Sequence, residues 1–300
     1  MSKHGSLIFQ MNKKLESMYV PGTSKRAIVD AAYNAAPPNK SKMEIKNDAC
    51  RPYIFSTKTL NTYKKETAEF AKYCKLEHGS KTINDCRAYV TEYLQKNLDE
   101  GKSVYTVSTQ ASALGKLYQE PYTNFLTLPQ RERANITRSR LDRPSDRHFS
   151  EKKNQELVNF CRGTGLRRSE LQRLTPEALV KRDGKFYLQI KGKGGKTRVS
   201  PIIGPHKKEI VNRIQNTAPG EKVWPRVHRH ADIHSYRSNY ATSLYNSLAR
   251  DVTVLPASER YCCRKDRAGD VFDKKAMKVV SRALGHERIE VIAANYLRDF

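Results

Sequence analysis

The second half of the chain contains the stretch Gly163-Thr164-Gly165-Leu166-Arg167-Arg168-Ser169-Glu170-Leu171, in which glycines interrupt a helical pattern. Apolar residues recur at helical spacing before the break, and a second helix is predicted from Leu166 to Leu174. Arg167 stands at the start of that helix, where a planar guanidinium can bind two oxygens of one phosphate group. Glu170 lies three residues further along and could orient Arg167, although a solvent-exposed Arg-Glu pair fits the same spacing.

A β-hairpin is predicted after this region. Asp183-Gly184 is a turn signal, and residues 186–190 have the pattern of a strand. The glycine-rich residues 192–195 then turn the chain into a partner strand at 197–202. The sequence therefore predicts a small antiparallel sheet within an otherwise helical region.

Lysines cluster around the second turn of this hairpin. An ammonium group there could protonate an oxygen leaving group, and Lys191, Lys193 and Lys196 are all candidates by position. The ending Gly195-Lys196-Thr197 does not indicate a nucleotide-binding P-loop, because the position that requires glycine is Ile190 and a strand follows.

Two further segments place basic and aromatic side chains near the end of the chain. His234 and Arg237 are three residues apart, so both can face one ligand from a helix. Leu284-Gly285-His286 ends a helix at a glycine, and Tyr296 follows ten residues after His286. A phenol is a poor nucleophile at neutral pH because its pKa is about 10, but surrounding cations stabilise the phenolate.

The composition indicates a polyanionic partner. The chain has 300 residues, with 56 Lys and Arg against 31 Asp and Glu, and a formal net charge of +25. Such an excess is typical of proteins that bind nucleic acid. The six cysteines include no Cys-x-x-Cys pair, which argues against a zinc site and predicts free thiols in a reducing, cytoplasmic location. No apolar run is long enough to cross a membrane.

Changes in composition predict four regions. Residues 1–50 mix basic and small residues with proline, which predicts a partly ordered basic arm. Residues 51–120 carry helical apolar stripes with basic polar faces and predict a small basic helical domain, whose lysines, Lys64 and Lys65 among them, are expected to contact nucleic acid. Residues 121–148 are rich in Pro and Arg and predict an interdomain linker, and residues 149–300 predict a second compact domain.

Four segments described above carry the candidate chemistry: 163–171, 191–198, 234–237 and 284–296. In their order and chemistry, these four segments resemble the catalytic domain of the tyrosine recombinases, the phage integrase family. The match spans roughly residues 150–298, and the helical region before it resembles the family's core-binding domain. The resemblance implies a mainly α fold with a small antiparallel sheet (α+β). It also implies a homotetramer that exchanges strands at a specific site on double-stranded DNA through a Holliday junction, without a cofactor or metal.

The resemblance assigns phosphate-binding roles to four residues. Arg167 and Arg237 would clamp the scissile phosphate. His234 would be a proton-handling or hydrogen-bonding partner, and His286 would donate a hydrogen bond to the same phosphate.

The resemblance also identifies the groups that make and break bonds. Tyr296 would attack the phosphorus and form a 3′-phosphotyrosyl bond. Lys193, the lysine between the hairpin glycines, would protonate the departing 5′ oxygen. Lys196 and Arg198, which follow the hairpin turn, are expected to contact DNA.

The sequence departs from the family's pattern in two places. The ten-residue step from His286 to Tyr296 is one residue longer than usual, which would rotate a helical side chain by about 100°. Either the intervening turn differs or Tyr296 is not the nucleophile. The stretch between Arg237 and His286 is also long, and roughly residues 250–272 are interpreted as an insertion that contacts DNA or a second protomer.

Two other functions fit the same residues. A type IB topoisomerase shares much of this chemistry, and relaxation of supercoiled DNA without site preference would favour it. A catalytically silent DNA-binding protein on the recombinase scaffold is supported by the unusual spacing before Tyr296. Among recombinases, the basic arm favours an integrase of a mobile genetic element over a resolvase.

Overall fold

The structure is a computed structural model that describes residues 5–37, 39–130, 148–192, 195–264 and 267–297. The chain divides into two compact units, Met1–Ile136 and Thr137–Phe300. The described residues of each unit enclose a buried apolar core. The linker predicted at 121–148 lies partly outside the described residues, and the four predicted regions stay a prediction.

The first unit is helical in its described part. Its α-helices are α1 (Leu7–Ser17), α2 (Lys25–Ala35), α3 (Lys42–Cys50), α4 (Thr57–His78), α5 (Ile83–Cys86), α6 (Val90–Asp99) and α7 (Val104–Tyr118). Serine or threonine side chains cap most of these helices at their amino ends, where backbone N–H groups have no partner within the helix. For α4 the cap is Ser56, whose Oγ accepts from the Thr59 amide at 3.1 Å.

The core of the first unit begins inside the predicted arm. Leu7, Met11 and Leu15 of α1 are buried in the core of this unit, where α1 packs against α4 and α7. The described part of residues 1–50 thus contains three helices, and α1 packs as part of the domain that follows it. The arm looked irregular in sequence because Pro21-Gly22 and the prolines near residue 38 separate these short helices.

The second unit combines helices with two small antiparallel sheets. Its helices are α8 (Gln155–Thr164), α9 (Arg168–Leu171), α10 (Lys207–Gln215), α11 (Ile233–Asn246), α12 (Lys274–Leu284) and α13 (Glu290–Asn295). Its strands are β1 (Leu179–Arg182), β2 (Lys185–Lys191), β3 (Thr197–Pro201), β4 (Arg260–Cys262) and β5 (Val271–Asp273). Strands β1, β2 and β3 form one antiparallel sheet in that order, and β4 pairs with β5.

The turns of this unit follow their sequence signals. Asp183 and Gly184 both have positive φ, of 46° and 72°, between β1 and β2. That backbone is the tight hairpin turn which an Asp-Gly pair favours. Strands β2 and β3 form the predicted glycine-rich hairpin, and β4 and β5 form a third hairpin in or next to the predicted insertion.

The fold class predicted from the sequence is confirmed, because the described residues form a mainly α structure with small antiparallel sheets. Within the described residues, no helix combines the length and the apolar character that a membrane span requires.

Candidate active site

A glycine places Arg167 at the candidate site. Gly165 ends α8 in the left-handed conformation, with φ of +62°, and a Cβ there would lie 2.3 Å from the Tyr240 ring. The chain therefore turns sharply, and Arg167 becomes the residue before α9. Its Nη1 donates to Glu170 Oε1 at 2.8 Å, and its Nη2 donates to the Leu284 carbonyl at 3.2 Å.

A buried carboxylate supports this arginine. The Glu170 side chain is 1% exposed, and it accepts from the Arg167 backbone N–H at 2.7 Å as well as from the Arg167 guanidinium. Burial alone would raise the pKa of Glu170, but the hydrogen bonds and charges of Arg198 and Arg167 outweigh burial and lower it to about 2. Glu170 is therefore ionised and holds Arg167 in one orientation.

Arg198 has an internal position. Its Nη1 and Nη2 donate to the two Glu170 oxygens, both at 2.8 Å, and its Nε donates to the Ala283 carbonyl at 2.8 Å. The side chain is buried between α9 and the end of α12. The expected contact between Arg198 and DNA does not fit this arrangement, because its donors are directed at protein acceptors.

Arg237 is the most deeply buried cation of the site. It lies on the second turn of α11, is 2% exposed, and donates to the carbonyl oxygens of Gly165 and Leu284. Its Nε donates to Tyr296 Oη at 3.2 Å. Arg167 and Arg237 thus share the Leu284 carbonyl as an acceptor, so the two guanidinium groups are neighbours.

His286 follows directly after α12. Gly285 ends that helix with φ of +68°, and a Cβ there would lie 2.9 Å from Arg198 Cδ. His286 Nε2 lies 3.1 Å from Tyr296 Oη. Burial, followed by the positive charges of Arg237, Arg167 and Arg198, lowers the pKa of His286 to about 4. The imidazole is therefore neutral at physiological pH.

Tyr296 reaches the cations despite the ten-residue step. Residues 286–289 are not helical, α13 starts only at Glu290, and Tyr296 is the residue after its last turn. A helix does not run unbroken from His286 to Tyr296, and the phenol oxygen contacts Arg237 and His286. The ring is 5% exposed, and His234 packs edge-on against it with ring centroids 5.6 Å apart.

Other predicted site residues lie apart from this cluster or outside the described part. Lys193 is outside the described residues. Lys196 pairs with Glu287, both side chains being largely exposed. In the first unit, Lys64 pairs with Glu16 and Lys65 is exposed.

The sequence analysis missed the acceptors that hold the cluster together. The backbone carbonyls of Gly165, Ala283 and Leu284 accept hydrogen bonds from the arginine side chains. No pattern of side chains in the sequence predicts such contacts. It also missed Arg267, which contacts the chain on either side of Tyr296. Among the described residues, no group of three His, Cys, Asp or Glu side chains is arranged to hold a metal ion.

The arrangement suits the transfer of a phosphoryl group, whose oxygens carry negative charge. Guanidinium groups of Arg167 and Arg237 converge beside a phenol oxygen, and a neutral imidazole adjoins the same oxygen. Oriented cations of this kind stabilise negative charge that develops on phosphate oxygens during transfer.

Comparison with known proteins gives relatives for about half of the chain. No protein-family model matches the sequence. The tyrosine recombinase XerC of Thermodesulfovibrio yellowstonii is 26% identical over 174 residues, which cover 53% of this chain and 56% of that protein. XerC of Pseudomonas savastanoi pv. phaseolicola is 26% identical over 163 residues, covering 49% and 54%. The chain thus spans about half the length of the curated relatives it matches.

Solved structures of recombinases are also similar. A XerH site-specific recombinase bound to a palindromic difH substrate, in a post-cleavage complex, aligns with 98% of this chain and 91% of its own. The sequence identity is 15% and the TM-score 0.49. A pre-cleavage complex of XerH with difH gives 17% identity and a TM-score of 0.48. The curated relatives confirm the resemblance that the four segments predict: over about half of its length, this chain is similar to the tyrosine recombinases.

Proposed function

We propose that this chain is a site-specific recombinase that cuts and rejoins double-stranded DNA through a covalent bond to Tyr296. The observation that carries the proposal is the position of the Tyr296 phenol oxygen, 3.2 Å from Arg237 Nε and 3.1 Å from His286 Nε2. The net charge of +25 and the similarity to XerC recombinases support DNA as the substrate.

Phosphate binding would use the two neighbouring guanidinium groups. The donors of Arg167 and Arg237 that now contact the Leu284 carbonyl would turn to two non-bridging oxygens of the scissile phosphate. Glu170 keeps Arg167 oriented through this exchange, because its carboxylate binds both the backbone and the side chain of Arg167. His234 would hydrogen-bond to the same phosphate.

Strand cleavage would be a transesterification. The Tyr296 oxygen bonds to phosphorus, the bond from phosphorus to the 5′ oxygen breaks, and a 3′-phosphotyrosyl ester forms. Neutral His286 has a lone pair that can take the phenol proton, and its hydrogen bond to Tyr296 supports that role. Lys193 would protonate the departing 5′ oxygen. Because the new ester conserves the energy of the old one, the proposed reaction needs no ATP. The guanidinium groups would stabilise the developing negative charge, the role that a metal ion has in other phosphoryl transfers.

We also propose that the active form is a homotetramer on DNA that passes through a Holliday junction, in the service of a mobile genetic element. The cytoplasm, at the nucleoid, is the proposed location. The basic character of residues 1–50 supports the mobile-element role.

The unusual spacing before Tyr296 no longer favours a catalytically silent protein, because the phenol oxygen reaches Arg237.

The test is a covalent-adduct assay with Tyr296→Phe. The wild-type protein, incubated with labelled duplex DNA and denatured in detergent, should carry label. Tyr296→Phe should bind the DNA with unchanged affinity and carry none, because phenylalanine has no nucleophilic oxygen. Tyr187→Phe on β2 is the matched control and should form adduct like the wild type. An adduct that persists in Tyr296→Phe refutes the assignment, and wild-type adduct with relaxation but no site preference indicates a topoisomerase.

A further inference from the structure

The segment between Arg237 and His286 reaches the part of the chain that carries Tyr296. Arg267 lies in the loop between β4 and β5, and its side chain is 12% exposed. Its Nη1 donates to the carbonyl oxygen of Ala293 at 2.7 Å and to that of Leu297. These carbonyls lie on either side of Tyr296 in the sequence. One guanidinium therefore binds the backbone before and after the proposed nucleophile, within residues 290–297, which are called the Tyr296 segment below.

Arg267 is itself held in place. Its Nε pairs with the Asp270 carboxylate in the same loop, and its guanidinium lies 5.2 Å from the centre of the Phe272 ring. Phe272 is buried and packs edge-on against Tyr245 of α11, with ring centroids 5.7 Å apart. The arginine therefore connects the Tyr296 segment to the helix that carries Arg237.

The base of the hairpin is anchored as well. Asp273, at the end of β5, accepts two side-chain hydrogen bonds from Arg250, both at 2.8 Å. Its backbone N–H donates to the Tyr245 hydroxyl at 2.9 Å. A loop fixed at its base by buried groups can hold a side chain at a defined distance.

The Tyr296 segment needs such support. Helix α13 has only six residues, which is too short to be stable by itself in water. The carbonyls at its carboxyl end have no partners within the helix. A cation at this end donates hydrogen bonds to such carbonyls and interacts favourably with the negative end of the helix dipole.

We propose that Arg267 is a positioning residue that fixes the backbone around Tyr296 and so aligns the phenol with Arg237 in the same subunit. The proposal rests on the proposed function, since positioning matters only if Tyr296 attacks DNA. It replaces the expectation that this part of the insertion contacts DNA or a second protomer, because the donors of Arg267 named above are directed at Ala293, Leu297 and Asp270.

The first measurement is amide hydrogen exchange of residues 290–297 in the full-length protein. The amides of Ile292, Tyr296 and Leu297 are hydrogen-bonded there and report on the segment. In Arg267→Met we expect exchange about tenfold faster, because hydrogen bonds to a charged group contribute at least that factor. Arg264→Met, at an exposed arginine of the same loop, is the matched control and should exchange like the wild type. Unchanged exchange in Arg267→Met overturns the proposal.

The second measurement is the rate of covalent-adduct formation on a nicked duplex from which the cleaved strand end diffuses away. At saturating DNA we expect Arg267→Met to react about tenfold more slowly, with an unchanged half-saturating DNA concentration. Arg267→Lys keeps the charge and should recover part of the rate. Weaker DNA binding with an unchanged saturated rate would mean that Arg267 serves DNA contact, and would also overturn the proposal.

The design separates this inference from the proposed function and from misfolding. If the wild-type protein forms no adduct, the proposed function fails, while hydrogen exchange still tests the contact of Arg267 with the Tyr296 segment. If Arg267→Met unfolds, seen as faster exchange in α8 and α11, Asp270→Asn takes its place. That variant keeps the arginine, removes its ion-pair partner, and should change both measurements in the same direction. No change in either measurement overturns the proposal.

Discussion

His286 is the residue whose protonation state most directly affects the candidate site. A protonated imidazole beside Arg237, Arg167 and Arg198 would add a positive charge to a cluster that is already cationic. Burial and these charges lower its pKa from 6.5 to about 4, so the folded protein favours the neutral form. Neutral His286 keeps a lone pair beside the phenol, which an imidazolium would lose.

This pKa shift predicts a pH dependence of stability. Between pH 6.5 and about 4 the unfolded chain binds a proton that the folded chain does not, so the contribution of His286 is complete above pH 6.5 and is lost as the pH falls towards 4. Urea unfolding of the wild type and His286→Gln should show the wild type losing stability relative to the variant over this range. A difference between the two proteins that stays constant with pH contradicts the assigned shift.

Glu170 and Arg198 form a buried ion pair with its own prediction. Arg198→Met leaves the Glu170 carboxylate without its bidentate partner, and breaking a buried pair in this way typically costs about 3–5 kcal/mol. Adding Glu170→Leu to that variant should recover part of the loss, because the uncompensated charge is gone. Chemical denaturation of the two single variants and the double variant measures the coupling. Strictly additive losses would argue against a direct pair.

At the scale of elements, α1 shows how a short helix becomes part of a core. Its residues Leu7, Met11 and Leu15 recur at helical spacing, and Ser6 caps its amino end with an accepted hydrogen bond of 3.2 Å. The helix packs against α4, and its isolated stability would be small. Burial of the apolar side of α1 is therefore what holds residues 7–17 in place.

Truncation of this buried side should destabilise the first unit. Leu15→Ala removes buried methyl groups and is expected to lower the free energy of unfolding by about 2–5 kcal/mol. Phe9→Ala lies on the same helix at a side chain that is 59% exposed, and its effect should stay within about 0.5 kcal/mol. Thermal or urea unfolding of the two variants gives the comparison. Equal effects would mean that α1 is not part of the core.

The hairpins illustrate a second point at this scale. The turn between β1 and β2 forms where Asp183-Gly184 requires it, since both residues adopt positive φ. Gly285 likewise signals the end of α12, but no sequence signal specifies the path from His286 to Glu290, which leads to Tyr296. Carbonyl oxygens on either side of this path accept from arginines: Ala283 from Arg198, Leu284 from Arg237 and Ala293 from Arg267.

At the scale of the whole molecule, the positive charge favours the proposed association with DNA. A chain of net charge +25 releases counterions from every phosphate it neutralises, so its DNA affinity should fall steeply with salt. Long-range attraction of this kind raises association rates without specifying a sequence. If the chain acts at a specific DNA site, as proposed, that site is recognised by contacts beyond charge.

Salt titration tests which lysines take part. Lys65→Gln should reduce the slope of log affinity against log salt by about 0.9, the value for one lost phosphate contact. Lys64→Gln is the matched control, because Lys64 already pairs with Glu16 and should change the slope less. Fluorescence anisotropy across a salt series gives both slopes. A larger effect of Lys64 would reverse the assignment of these two neighbours.

The sequence by itself determined the elements and the chemical groups. Apolar periodicity predicted helices within residues 51–120, a glycine marked the end of α12, turn residues marked the β1–β2 hairpin, and motif order singled out Arg167, Arg237, His286 and Tyr296. Such features are local, because capping, turn formation and helical spacing act within a few residues. The structure brings these four side chains together through hydrogen bonds to one another and to the Leu284 carbonyl.

Only the tertiary structure decided which basic residues face solvent and which lie inside. Lys196 and Arg198 are two residues apart and look alike in sequence, yet Lys196 is exposed whereas Arg198 is buried on Glu170. Arg267 contacts carbonyls 26 and 30 residues away. Burial depends on which distant elements pack together, and the charge pattern of one segment carries no information about its distant neighbours.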